Sequence, residues 1–142
     1  MLFRSFENTL IILKGIGKYL KLYPENKVRF DSAVQKGQEF LLKYNLFQDP
    51  LTFSPINNKW LKLSFPPYWF YDILAALDYF REMDVKDLRL EPAIKILMRK
   101  QRIDGTWILE NKHPGKTFFE MESVGKPSRW NTLRCMRVIE GW

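Results

Sequence analysis

Tyr68-Trp69-Phe70-Tyr71-Asp72-Ile73-Leu74-Ala75-Ala76-Leu77-Asp78-Tyr79-Phe80 is the stretch on which the fold turns. It follows Pro66-Pro67, and proline is preset for the first turn of a helix. Only Asp72 and Asp78 are charged, and a helix that is apolar nearly all round is buried on all sides. Residues 68–80 therefore predict an inner helix, the third of the chain. On either side of it lie amphipathic stretches. Phe30, Ala33, Val34, Gly37, Leu41 and Tyr44 mark one face of a second helix whose other face carries Arg29, Asp31, Lys36, Glu39 and Lys43. A fourth helix, Leu88–Gln101, sets Leu90, Ala93, Ile94, Leu97 and Met98 against Arg89, Lys95, Arg99 and Lys100. Both read as outer, half-exposed helices.

A first helix spans Asn8–Leu22 on Leu10, Leu13, Ile16 and Leu20, with Pro24 as its stop. A fifth begins at Pro127-Ser128 and runs on through Leu133, Met136 and Ile139. Two long connections separate the helices. The first, Phe47–Pro67, contains Pro50, Pro55 and the Pro66-Pro67 pair, and Trp60 is expected to pin it to the core; the second, Arg102–Lys126, opens on Asp104-Gly105. The expectation is an all-α single domain over residues 1–142, with helices one, three and five inside and two and four outside.

Alternation of buried and amphipathic helices is the pattern of stacked helix pairs, and an internal repeat supports it. Gly37-x-x-Phe40-Leu41-Leu42-x-x-Asn45 matches Ala93-x-x-Ile96-Leu97-Met98-x-x-Gln101, and Tyr71-Asp72-Ile73-Leu74 matches Trp130-Asn131-Thr132-Leu133. Asn8, Asp72 and Asn131 then fall at equivalent points. They would either cap the inner helices, the preferred reading, or point into a shared cavity.

Composition bounds the rest. With 46% hydrophobic and 15% aromatic residues, the chain has ample surface for one core and is not a disordered segment. The formal charge is +7, but no run of adjacent Lys or Arg exceeds two, so nucleic-acid binding is disfavoured. Cys135 is the single cysteine; it reads as a small buried hydrophobe and fits a reducing, cytoplasmic setting. The apolar patch Leu10–Leu13 is too short for a signal core, and no stretch is long enough for a transmembrane segment.

After helix four the chain reads Gln101-Arg102-Ile103-Asp104-Gly105-Thr106-Trp107. This resembles the Q-x-x-D-G-x-W repeat of squalene and oxidosqualene cyclases and of protein prenyltransferase β subunits. The stretches Tyr68–Leu74 and Pro127–Arg134 are similar to those of a bacterial and archaeal group of toroid-like proteins. What the resemblance implies is a partial α/α toroid in which Gln101 ties the outer helix end to a neighbouring helix start and Trp107 stacks on it. Gln101, Asp104, Gly105 and Trp107 are then markers of the fold. The enzymes' own chemistry is missing from the pattern: no D-x-D-D acid cluster occurs, and with one Cys and one His in the chain and no Asp two residues before Cys135 the prenyltransferase zinc site is absent as a motif. No cofactor is expected.

Two site readings follow. Trp69, Tyr71 and Trp130, with Asp72, Arg129 and Arg134, stand at the starts of inner helices, where they would either hold an apolar, isoprenoid-like chain with an anionic head or fill the core. In the second connection His113, Glu120 and Glu122 would form a one-histidine, two-carboxylate set or simply a solvated loop, the plainer alternative. The expected function is a non-catalytic interaction or scaffold module that self-associates or takes a protein partner. The alternative is an isoprenoid- or lipid-binding protein or enzyme whose cavity is completed by oligomerisation.

Overall fold

The computed structural model describes residues 2–142, with side chains from Ser5 onward, and it is mostly helical, as expected of an all-α chain. The main elements are α1 (Leu2–Leu22), α2 (Lys27–Lys43), α3 (Ile73–Glu82), α4 (Glu91–Lys100) and α5 (Arg129–Glu140). Two-residue strands β1 (Trp107–Ile108) and β2 (Pro127–Ser128) pair antiparallel just before α5, with Trp107 opposite Ser128.

α3 packs against α1, α4 and α5, and α2 lies on α1. Ile73, Leu74, Ala75, Ala76, Leu77, Tyr79 and Phe80 are all buried, which is the all-round burial that its composition demands. Its few charged groups sit on one open side, where Arg81 pairs with Asp78 at 2.8 Å. α1 buries Phe6, Leu10 and Leu13, spaced four and three residues apart. Where α2 crosses α1, a Cβ at Gly37 would stand 3.0 Å from Leu13, so glycine allows this close approach. A bidentate pair from Arg89 to Glu39, at 2.6 and 3.0 Å, ties the turn before α4 to α2.

The first connection is held as expected: Trp60 is buried, with its ring 4.6 Å from that of Phe6 and 4.8 Å from that of Tyr71. The Tyr71 hydroxyl donates to Leu46 O at 2.7 Å, fastening the start of α3 to the end of α2. Cys135 is fully buried, and burial pushes its thiol up to about 12.

Three helix starts and one helix face differ from the sequence reading. α1 starts well before Asn8, which is an exposed residue inside the helix and caps nothing. α3 begins at Ile73 instead of Tyr68, because Asp72 adopts an extended conformation and its carboxylate accepts the Ala75 N–H at 2.6 Å. Pro127 and Ser128 are strand residues, and α5 begins after them with the Ser128 hydroxyl accepting from Asn131 N at 2.9 Å. Finally, α4 buries Ala93, Ile94 and Leu97 but leaves Met98 exposed. No helix among the described residues is long and apolar enough to cross a membrane.

The turn after α4 is built by the residues quoted for it, with roles redistributed. Gly105 has φ +81°, a left-handed conformation that glycine adopts without strain. Asp104 accepts from both the backbone N–H and the hydroxyl of Thr106, at 3.0 and 2.6 Å. Gln101 is exposed and donates to Gly105 O at 3.2 Å, bracing its own turn and not a neighbouring helix. The inter-helix tie is Trp107. Its indole N–H donates to Leu97 O in the last turn of α4, at 2.7 Å, and its backbone N–H donates to Thr132 of α5, at 3.0 Å.

Candidate functional site

The starts of α3 and α5 place several polar groups in the interior. Asp72 and Asn131 are both buried, and Asp72 Oδ2 and Asn131 Oδ1 have no hydrogen-bond partner among the described residues. Ser64, also buried, accepts from Asn111 Nδ2 at 3.0 Å, and its carbonyl accepts from Arg134 at 3.3 Å. Burial raises the Asp72 carboxyl above its ordinary value; the charge of Arg134, the Ala75 N–H and Lys14 pull in the other direction. Lys14 responds reciprocally, lowered by burial and then by Arg134, while Asp72 opposes the shift.

The repeat register does not survive as a set of matched positions. Asp72 is the cap of α3, whereas Asn131 lies inside the first turn of α5, whose cap is Ser128. Asp72 thus follows the capping reading, and Asn131 instead donates to Ile108 O at 3.4 Å.

A raised carboxyl pKa has a definite sign in stability. Between the unfolded value, about 3.9, and the higher folded one, the native state holds more protons than the unfolded chain, so stability falls as pH rises through that window. Asp72→Asn keeps an oxygen for the Ala75 N–H and removes the titration. The expected result is that wild type loses urea resistance relative to Asp72→Asn as pH increases from the carboxylate range; parallel curves would show that Asp72 does not titrate this way.

The aromatic set does not gather into one cavity. Tyr71 is buried, and it borders a hollow of about 390 Å³ with Trp60, Phe70, His113, Ser64 and Asn111. Neither Trp69 nor Trp130 contributes to that wall. Trp69 is exposed and stacks on Phe70 at 5.4 Å; Trp130 is partly exposed and stacks on Phe65 at 5.2 Å. Arg129 is exposed at the first position of α5, and Arg134 is half-buried.

The loop set is also dispersed. His113 stacks on Phe70 at 3.9 Å, and burial holds its imidazole below the ordinary value against the opposing charge of Glu7. Glu120 is exposed and pairs with Lys112. Glu122 accepts from the Ser128 hydroxyl and, at 2.8 Å, from Arg129 N, placing a carboxylate at the α5 N-terminus where the helix dipole favours it. Among the described residues no three His, Cys, Asp or Glu side chains are grouped to hold a metal ion. Glu110, not singled out from the sequence, bridges two segments, accepting from Leu63 N at 2.8 Å and from Lys100 at 2.6 Å.

A more apolar groove of about 460 Å³ runs between α1 and α2, with Leu13, Ile16, Leu20, Val34 and Met83 on its walls.

α5 presents the remaining feature. Its buried stripe is Asn131, Cys135 and Val138. Leu133 and Met136, which mark the helix in the sequence, stand on the opposite side, 49% and 43% exposed. Arg129 and Glu140 continue the same exposed stripe at either end. No protein-family model, curated protein or solved structure matches the chain.

Proposed function

We propose that the chain is a non-catalytic helical-repeat module, of the partial α/α toroid kind, that acts by pairing with a second copy of itself through α5. Support for the toroid relation comes from the central α3 flanked by α1 and α5, and from the Gln101–Trp107 turn. Support for a binding role over a catalytic one comes from how the ionisable groups are engaged. The carboxylates of Asp72 and Glu122 cap helices, Glu110 bridges Leu63 and Lys100, and the Cys135 thiol is buried.

The observation that carries the pairing is the order of residues along the exposed stripe. Arg129, Leu133, Met136 and Glu140 are four, three and four residues apart, which keeps them on one helix face. A two-fold axis passing between positions 134 and 135 sets two α5 helices antiparallel. Leu133 then faces Met136 of the partner subunit, and Arg129 faces Glu140 of the partner subunit. The stripe is self-complementary in both hydrophobicity and charge, as an isologous contact requires. Neither Arg129 nor Glu140 forms an ion pair with another described residue, so both charges are available to a partner.

Charge reversal tests this directly. Arg129→Glu places two carboxylates opposite each other at both ends of the contact and is expected to weaken the dimer about tenfold or more. Arg129→Glu with Glu140→Arg restores opposite charges and is expected to recover the wild-type association. A double variant no better than the single one would remove the antiparallel pairing.

A further inference from the structure

We propose that the protein docks on an anionic lipid surface through the edge where residues 65–69 meet residues 116–124. The two connections converge there around a hollow of about 280 Å³ bordered by Phe65, Pro66, Tyr68, Phe118, Phe119 and Met121. Phe118 is fully exposed, Phe119 is 71% exposed and Trp69 is 64% exposed. Apolar side chains grouped in this way, outside any fold contact that would bury them, mark an interaction surface.

The composition of the edge selects the occupant. Phenylalanine can enter the hydrocarbon boundary, while Trp69 and Tyr68 suit the headgroup level, where amphipathic rings concentrate. Met121, on the wall of the same hollow, is exposed and adds aliphatic surface that a bilayer accepts but stacked nucleic-acid bases do not use. Charge gives the sign of the surface. Of the local acids, Glu120 is paired with Lys112 and Glu122 is engaged by Ser128 and the backbone of α5. Lys116 and Lys126 are exposed, and neither is in an ion pair with another described residue. At this edge Lys116, which borders the hollow, would meet the same lysine of a second copy, so an anionic membrane is the favoured occupant here. None of Arg129, Leu133, Met136 and Glu140 borders the hollow, and docking does not depend on dimer formation.

The test is co-sedimentation of the full chain with vesicles of phosphatidylcholine alone and of phosphatidylcholine with roughly one third phosphatidylserine. Sedimentation is expected with the anionic vesicles, to weaken as salt is added, and to be accompanied by a blue shift of tryptophan emission. Phe118→Ser with Phe119→Ser is expected to reduce binding about tenfold or more. These positions are exposed, so the variant should retain the wild-type helical circular-dichroism signal. Lys116→Glu with Lys126→Glu should reduce the anionic preference. Failure to sediment with anionic vesicles, equal sedimentation of the Phe118/Phe119 variant, or binding to a single-stranded oligonucleotide in place of vesicles would each overturn the proposal.

Discussion

Trp107→Ala is expected to lower the free energy of unfolding by about 4 kcal/mol. The indole is 1% exposed, so truncation leaves a cavity that the surrounding helices fill only partly. It also withdraws the N–H from Leu97 O, leaving a buried helix-end carbonyl without its donor. Because Trp107 reaches α4 with its ring and α5 with its backbone, the loss falls on the contact between two helices distant in sequence. Trp107→Phe is the milder change, since it keeps a six-membered aromatic ring and loses the pyrrole half of the indole with its donor; about 2–3 kcal/mol is expected for it. Denaturant unfolding followed by circular dichroism reads both. An alanine variant within about 1 kcal/mol of wild type would show that this indole does not join the helices.

Phe6→Ala is the counterpart at the other end, with about 3–5 kcal/mol expected. The ring is fully buried and stands 5.0 Å from Phe40, 5.3 Å from Tyr44, 4.6 Å from Trp60 and 5.3 Å from Tyr71. It gathers α1, α2, the first connection and the start of α3 into one aromatic cluster, and tilted or edge-on pairs add to simple burial. Removing it should therefore loosen Trp60, which depends on the same ring. A double-mutant cycle with Trp60→Ala is expected to fall short of additivity by about 0.5–1.5 kcal/mol. Strict additivity would mean that the connection is anchored independently of α1.

Much of this architecture is legible in residue patterns, and the failures have identifiable causes. The burial of α3, the Pro24 stop, the anchoring by Trp60 and the burial of Cys135 follow from composition and side-chain size. The start of α3 does not, because the apolar run Tyr68–Tyr71 masks the capping preference of Asp72, and a cap outweighs a run of rings in setting where a helix begins. The β1–β2 pair is too short to produce an alternating pattern. On α5 the apolar residues most visible in sequence, Leu133 and Met136, are the exposed ones, while Asn131 occupies the interior. An asparagine at a core position carries no periodic signal of burial.

The candidate sites were less legible for the same reason. Glu122 is recognisable in sequence as a carboxylate and in structure as part of a helix N-terminus, and only the fold shows which role applies. Lys14 looks like an ordinary surface charge until α1 is set beside Asp72 and Arg134, whose charges then act on it. Trp69 and Tyr71 are two residues apart, yet one ring faces solvent and the other the core, because the chain between them is not helical.

Association through α5 is the central claim, and the solution mass of the unmodified chain over a dilution series tests it most directly. Light scattering is expected to give twice the 17.1 kDa chain mass at high concentration, falling toward a single chain on dilution. Leu133→Lys with Met136→Lys should hold the chain at the lower mass throughout, with its helical content unchanged. A wild-type particle of 17.1 kDa at every accessible concentration would contradict the account.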